Sequence, residues 1–235
     1  MTEEFGKGYT QSRLRYFRRF YEVFLNCPTL SDELTYSHYC EMIWFDKAKI
    51  NYYIKISIDE NLSVRQLRER IKSNEYERLP EETKNKLINK EETKVQDLIK
   101  NPIIIKNNSN YEIISEKMLQ KLILENIEDF MQQLGNSFCF MGSEYKIKLG
   151  DRYNYIDLLL FNIEFNCYVV IELKITELKK EHIGQIQHYM NYVDSNIKKI
   201  YHDKTIGVII CKKDNKYVIE YSSDDRIVAR FYKLV

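Results

Sequence analysis

The chain has 235 residues, of which 44% are hydrophobic and 30% charged, and a formal net charge of +1 at pH 7. Such a chain is long enough to bury a substantial core in one large or two small domains, and its balance excludes a disordered segment. No apolar run approaches the roughly 20 residues that span a bilayer, and the opening Met1-Thr2-Glu3-Glu4-Phe5 lacks the shape of a signal peptide, so a cytoplasmic location is expected.

With so little net charge, any nucleic-acid footprint has to be a local patch. The five cysteines (Cys27, Cys40, Cys139, Cys167, Cys211) contain no C-x-x-C pair, and the four histidines (His38, His182, His188, His202) no H-E-x-x-H spacing. They read as reduced thiols and ordinary imidazoles, not as a zinc centre. Seven glycines and three prolines include no phosphate-cradling loop, which argues against a P-loop ATPase or a Rossmann enzyme.

The first helix is predicted from an N-cap at Thr10 to about Leu25, stopped by Asn26-Cys27-Pro28. Leu14, Phe17, Phe20, Tyr21 and Phe24 share one side, while Arg15, Arg18 and Arg19 occupy an opposing arc. That arc suits phosphates, and a solvated basic face has the same pattern. A second helix is expected over Thr35 to Phe45 with Tyr36, Tyr39, Ile43 and Trp44 as its apolar stripe, and His38 on it reads as a hydrogen-bonded packing residue. A third runs from about Ala48 to Asp59, with Ile50, Tyr53, Ile54 and Ile58 inward. Ser63 then caps Val64 to Lys72, which carries Arg65, Arg68 and Arg70. This series fits a helix-turn-helix-like module, and equally a small bundle that binds no DNA.

From Arg78 to Lys100 the chain becomes dense in Glu, Lys, Asn and Thr, with Pro80 suited to a first helical turn. It reads as a helical connector closed by Asn101-Pro102, which divides the chain into a helical domain (1–79), a connector (80–100) and a second domain (101–235). A long amphipathic helix is predicted over Ser115 to Leu134, ended by Gly135, and of its acidic residues Glu125 is the one chosen to reach a metal. Solvated surface is the plainer meaning of any one of them.

Strands are expected at Phe138 to Phe140 and Glu144 to Leu149, with Gly150-Asp151 turning the chain. Tyr155 to Phe161 and Val169 to Ile175 read as two buried strands joined by the loop Asn162 to Asn166. Later elements are a helix over Glu177 to Tyr192 and strands at Thr205 to Cys211, Tyr217 to Tyr221 and Ile227 to Tyr232. The sum is an α/β (α+β) layer with a mixed sheet flanked by helices, preceded by a small helical domain.

The two buried strands carry the chemistry. An antiparallel turn centred between Glu164 and Phe165 sets Asp157 opposite Glu172, and strand alternation puts Lys174 on the face of Glu172. Two carboxylates about 5 Å apart repel each other unless a cation lies between them. A hard divalent cation such as Mg²⁺ takes oxygen ligands, and a neighbouring lysine orients water and offsets charge on a phosphate. A charged residue in a strand is more often an edge position. Here, however, Glu172 and Lys174 alternate within an apolar run while Asp157 precedes three leucines.

Asp157 followed by Glu172-Leu173-Lys174 resembles the D…(D/E)-x-K signature of the PD-(D/E)XK nuclease superfamily, whose fold is restriction-endonuclease-like. Tyr155-Ile156-Asp157-Leu158-Leu159, Val170 to Lys174 and Gly184 to Tyr192 are similar to the bacterial YhcG-type family, also called DUF1016. Phe5-Gly6-Lys7-Gly8-Tyr9, Phe20-Tyr21, Ser37-His38-Tyr39, Ser63 to Arg68 and Tyr76 to Leu79 resemble that family's helical, DNA-binding first domain. The chain departs from it at Ile50, where an arginine is common, and at Leu62, where a tryptophan is common. Members carry further helices ahead of Phe5-Gly6, so the chain is expected to begin part-way into that domain.

The resemblance implies Asp157 and Glu172 as metal ligands, Lys174 as the catalytic lysine and Glu125 as a further carboxylate for Mg²⁺ or Mn²⁺. Gln185 and Tyr189 are similar to the Gln-x-x-x-Tyr helix motif of RecB-like nucleases, which implies substrate positioning. The expectation is a metal-dependent deoxyribonuclease, with Arg15, Arg18, Arg19, Arg65 and Arg68 contacting nucleic acid. A non-cleaving DNA-binding accessory protein with the same fold is the alternative. RNA as substrate and a homodimer as assembly stay open, and no membrane is expected as partner.

Overall fold

The computed structural model describes residues 10–24, 32–89, 91–108, 111, 114–135, 137–213, 218–219 and 224–235. The chain divides into two compact units, one of residues 1–77 with 87–90 and the other of residues 78–86 with 91–235. No helix among the described residues is long and apolar enough to cross a membrane.

In the first unit, α1 (Gln11–Phe24) follows Thr10, whose hydroxyl accepts from the Arg13 N–H at 3.3 Å. The predicted stop at Asn26-Cys27-Pro28 lies outside the described residues. The buried stripe of α1 is narrower than its apolar side suggests. Phe20 and Phe24 pack on Tyr36 and Tyr39 of α2 (Tyr36–Met42), whereas Phe17 is 40% and Tyr21 62% exposed. Tyr36 and Trp44, expected inward, are also exposed. A short helix against a short helix covers about one turn of side chains, too few to bury every aromatic.

α3 (Lys47–Asp59) begins where the Asp46 carboxylate accepts the Lys49 N–H at 3.0 Å, and it buries Ile50, Tyr52, Tyr53, Ile54 and Ile56. α4 (Val64–Lys72) is capped by Ser63, as its sequence demands. His38 joins these parts: Nδ1 meets the Thr35 hydroxyl at 2.9 Å and Nε2 the Leu62 carbonyl at 2.9 Å. Arg70 lies between Glu60 and Glu75, and Glu75 also accepts from the Tyr52 hydroxyl at 2.7 Å. Ile50 and Leu62 are core residues here.

The stretch read as a connector holds α5 (Glu81–Asn89) and α6 (Val95–Leu98). After them comes β1 (Ile103–Ile105), a strand the sequence reading omits because three isoleucines are too short to show alternation. The helix expected over Ser115 to Leu134 is two: α7 (Glu116–Glu125) and α8 (Ile127–Leu134). They are separated by Asn126 at φ −129°, ψ 42°, whose side chain donates to the Leu122 carbonyl at 3.2 Å and so competes with helix continuation.

The sheet follows from β2 (Phe138–Leu149), β3 (Arg152–Asn162), β4 (Cys167–Glu177), β5 (Asp203–Lys213) and β6 (Ile227–Leu234), with α9 (Lys180–Asn196) between β4 and β5. Its order is β1-β6-β5-β4-β3-β2. β2, β3 and β4 pair antiparallel, while β4, β5, β6 and β1 run parallel, so the sheet is mixed as predicted. One face packs Leu158, Leu160, Val169, Ile171 and Leu173 against α7 and α8, the other Leu159, Val170, Ile209 and Cys211 against α9. Burial on both faces is why these strands read as continuous apolar runs.

α9 lies close on β5. A Cβ on Gly207 would come within 2.5 Å of Met190 Sδ and 3.0 Å of Ile186 Cδ1. The strand expected over Tyr217 to Tyr221 falls mostly outside the described residues; Val218 and Ile219, which are described, are helical and pack on the α9 side. The four cysteines among the described residues are free.

Candidate active site

The β3–β4 register is the predicted one, with Asn162 opposite Cys167 and Leu158 opposite Ile171. The ladder stops there, one residue short of Asp157 and Glu172. Beyond it β3 stays paired with β2 and β4 with β5, so the sheet opens at this point. Side chains take over the backbone bonds: the Asp157 carboxylate accepts the Leu173 N–H at 2.7 Å, and the Asp157 carbonyl accepts from Gln120 of α7 at 2.9 Å.

Alternation also slips here. Ile156 packs in the same cluster as Leu159, although they stand an odd number of positions, three, apart along the strand. Across the sheet, Glu144 holds φ +46° at the register position facing Asp157, between the pairs Ser143–Leu158 and Tyr145–Ile156. A non-glycine residue in the left-handed region within a strand is a local irregularity that re-aims its neighbours.

Glu172 is 1% exposed. Its Oε2 accepts from Lys174 Nζ at 3.0 Å, and its Oε1 has no hydrogen-bond partner. Burial above all, then the Asp157 charge, pushes the Glu172 carboxyl up to about 7 against the opposing pull of Lys174. Burial likewise raises Asp157, with Glu116 and Glu144 adding to it and the Leu173 N–H and Lys174 offsetting part. Desolvation works against the Lys174 charge, but Glu172, Glu116 and Asp157 together hold its pKa above the usual lysine value. The ammonium therefore persists at neutral pH.

Asp157, Glu172 and Lys174 thus meet, as the strand arithmetic requires. The helix carboxylate nearest to them is Glu116, not Glu125. Glu116 opens α7 directly after its Ser115 cap, and its Oε2 lies 3.9 Å from Lys174 Nζ. Glu125 ends the same helix, nine residues or roughly 13 Å further along. It pairs with Lys121 at 3.7 Å and lines a groove of about 540 Å³ that α7 shares with Ser143 and Glu144 of β2.

α9 covers the site from the other face. Gln185 Nε2 donates to the Tyr189 hydroxyl at 3.1 Å, and burial raises the Tyr189 pKa, with Glu172, Lys174 and Asp157 among the charges it senses. His182, which sequence spacing passed over, lies one turn before Gln185 and senses Lys174; burial first and Lys174 next lower its pKa, leaving it neutral. The i, i+3, i+7 repeat of His182, Gln185 and Tyr189 is the signal that picks it out.

A buried carboxylate with one oxygen left unbonded, beside the half-buried Asp157, forms a donor set suited to a hard divalent cation. Among the described residues no three His, Cys, Asp or Glu side chains converge into a ready-made metal cage. An open set of two carboxylates leaves the remaining positions to water and substrate oxygens, the usual arrangement for Mg²⁺.

The five arginines expected to meet nucleic acid lie in the first unit, mostly tied to neighbouring groups. Arg18 pairs with Glu22 at 2.8 Å, Arg65 with Glu69 at 3.3 Å and Arg68 with Glu41 at 2.6 Å. Arg19 Nε donates to the Ile43 carbonyl at 3.1 Å, while its guanidinium and that of Arg15 lie 5.6 and 5.5 Å from the centre of the half-exposed Trp44 ring. Among the described residues Arg15 makes no ion pair.

Comparison with known proteins adds the family. Residues 96–234 match the YhcG PDDEXK nuclease domain, and residues 1–78 match the DUF1016 N-terminal domain. A curated relative, YhcG of Escherichia coli (strain K12), is 25% identical over 193 residues, which cover 78% of this chain and 52% of YhcG. The chain therefore spans about half the length of that relative. Solved structures with partial likeness include a repair endonuclease from Pyrococcus abyssi (16% identical, TM-score 0.35, 54% of this chain and 48% of that one). EndoMS in complex with dsDNA is 20% identical, with a TM-score of 0.35 over 54% of this chain and 48% of its own. More than half of the sequence falls within one nuclease-domain model, strands β3 and β4 included, and the protein belongs to the YhcG PDDEXK nuclease family.

Proposed function

We propose that the protein is a divalent-metal-dependent nuclease that hydrolyses DNA phosphodiester bonds. The observation that carries this reading is the buried Glu172 carboxylate, one oxygen bonded to Lys174 and the other to nothing, beside the half-buried carboxylate of Asp157. Like charges withdrawn from water raise each other's pKa, and a cation shared between them removes the conflict. In this reading Asp157 and Glu172 hold Mg²⁺ or Mn²⁺, and Glu116, which is half exposed, reaches it through water. When bound, such a cation polarises a phosphoryl oxygen and acidifies a coordinated water.

The chain's own groups do the rest. Lys174, kept charged by its carboxylate neighbours, orients the attacking water and offsets negative charge that builds on the phosphate. Gln185 donates to the Tyr189 hydroxyl, so the phenolic hydrogen is free to point at a phosphate oxygen and hold the strand in place. Gln120 and the Leu173 N–H fix Asp157 at its carbonyl and carboxylate, so the ligand is oriented before substrate arrives.

The test is incubation of the purified protein with plasmid, linear DNA, branched DNA and RNA, each with and without Mg²⁺ or Mn²⁺. Metal-dependent cleavage that Asp157→Ala and Lys174→Ala both abolish supports the assignment. Unchanged cleavage by either variant rejects it, and retention of plasmid without nicking under both metals favours a non-cleaving DNA-binding protein. The RNA arm decides the sugar, because the groups assembled here address phosphates.

A further inference from the structure

The β2–β3 hairpin continues beyond the point where β3 parts from β4, through the pairs Lys146–Tyr155 and Lys148–Tyr153 to Leu149–Arg152. One face of this extension is core: Ile147 and Ile156 are buried in the α9-side cluster, with Tyr145 and Leu149 packed against it. Directly paired residues share a face and neighbours in a strand alternate, so Lys146, Lys148, Tyr153 and Tyr155 stand together on the opposite face. They are exposed, Tyr153 by 57% and Tyr155 by 52%.

These side chains are underused by the protein itself. Lys146 Nζ sits 3.9 Å above the Tyr153 ring, while Tyr155 has no ring or cation partner among the described residues. Elsewhere in this unit exposed lysines meet carboxylates, as Lys106 does Asp129 and Lys121 does Glu125. Among the described residues Lys146, Lys148 and the exposed Arg152 make no ion pair, and Asp151 at the tip pairs with none of them. Tyr155 is two residues from Asp157, and the pairs Lys146–Tyr155 and Lys148–Tyr153 stand roughly 6.8 Å apart, the scale of one nucleotide in an extended strand.

We propose that this face is a track for an unpaired DNA strand at the cleavage site, with bases stacked on Tyr155 and Tyr153 and phosphates along Lys146 and Lys148. Cations alternating with flat aromatic faces bind single strands without regard to sequence, and a blunt duplex keeps its bases inside and offers nothing to stack. The preferred substrate is therefore DNA with a single-stranded extension. The proposal takes from the nuclease reading only that a strand reaches Asp157. The bland competitor is a hairpin that uses these pairs for its own stability.

Fluorescence anisotropy of the full chain in EDTA separates the two, with an oligothymidylate, a blunt duplex and the same duplex bearing an oligothymidylate tail as probes. The wild type is expected to bind the single strand and the tailed duplex more tightly than the blunt one. The double variant Tyr153→Ala/Tyr155→Ala should lose about tenfold or more on those two probes with little change on the blunt duplex, while Tyr153→Phe/Tyr155→Phe retains the preference.

Lys146→Gln/Lys148→Gln should lower the slope of log affinity against log salt on the single strand by about 1.4. No preference in the wild type, an equal loss on all three probes, or no loss in the alanine variant overturns the proposal. Should the alanine variant fail to fold by circular dichroism, an unchanged salt slope in the lysine variant overturns it alone. Because EDTA keeps cleavage out of the readout, a failed nuclease assignment leaves the binding result standing.

Discussion

The two units handle charge in opposite ways. In the helical unit Arg18, Arg65 and Arg68 lie at the surface against carboxylates of their own unit, an arrangement worth little and complete without a ligand. In the nuclease unit Glu172 is sealed from water with one oxygen unbonded, and the neighbouring Asp157 adds to its cost of ionising. Exposed charge that is already paired says little about function, whereas the buried carboxylate oxygen left without a partner is what the metal-dependent reading rests on. Charge pattern marks both the arginine arc and the acidic strand residues in the sequence, and burial sets them apart.

The sharpest way to break that contrast is to remove the buried charges. Asp157→Ala or Lys174→Ala should lower cleavage by about 10²–10³-fold or more, read as initial rates at saturating Mg²⁺. A loss of less than tenfold would place the chemistry elsewhere.

Glu172 makes a second prediction, about stability. Its carboxyl titrates near 7 in the fold against an ordinary 4.5, so the folded metal-free protein holds a proton that the unfolded chain has already released. Stability is then full below about pH 4.5 and declines as pH rises towards 7, by at most about 3 kcal/mol. Thermal melts in EDTA should show that decline in the wild type and a flatter profile in Glu172→Gln. Added Mn²⁺ should restore the lost stability at pH 7 only where Glu172 is intact.

How much of this was legible beforehand depends on range. The hairpin loop from Asn162 to Asn166 is short, so it fixes the register and with it the meeting of Asp157, Glu172 and Lys174. Glu116 was illegible because its proximity depends on how α7 docks on the sheet, which local pattern does not encode. Glu125 shares a helix with Glu116 but stands at its far end, and helical spacing alone does not show which end lies by Lys174. Phe17 and Tyr21 misled for a related reason: helical spacing names an apolar side but not how much of it the partner covers. β1 needs β6, more than a hundred residues later, to become a strand.

Smaller effects sharpen the picture of the helix carboxylate. Glu116→Gln should lower cleavage about tenfold through the water-held shell, whereas Glu125→Gln should leave the rate close to wild type. The reverse order would restore Glu125 to the site. Smallest of all are changes in the helical unit. Arg65→Ala and Arg68→Ala each remove a group already tied to a carboxylate, and should shift duplex affinity and stability little. Arg15→Ala, which removes a guanidinium without an ion pair, should reduce the duplex salt slope by about 0.9. Equal slopes in all three variants would mean that pairing within the unit does not decide which arginine meets DNA.

The pair Asp157 and Glu172 is tested most directly by titrating Mn²⁺ into the metal-free protein by calorimetry near pH 7 in two buffers of different ionisation enthalpy. Binding that releases a fraction of a proton, and that disappears in Asp157→Ala and in Glu172→Gln, is the expected result. Binding of equal strength in the wild type and both variants, or no binding to the wild type, would contradict a metal site between β3 and β4.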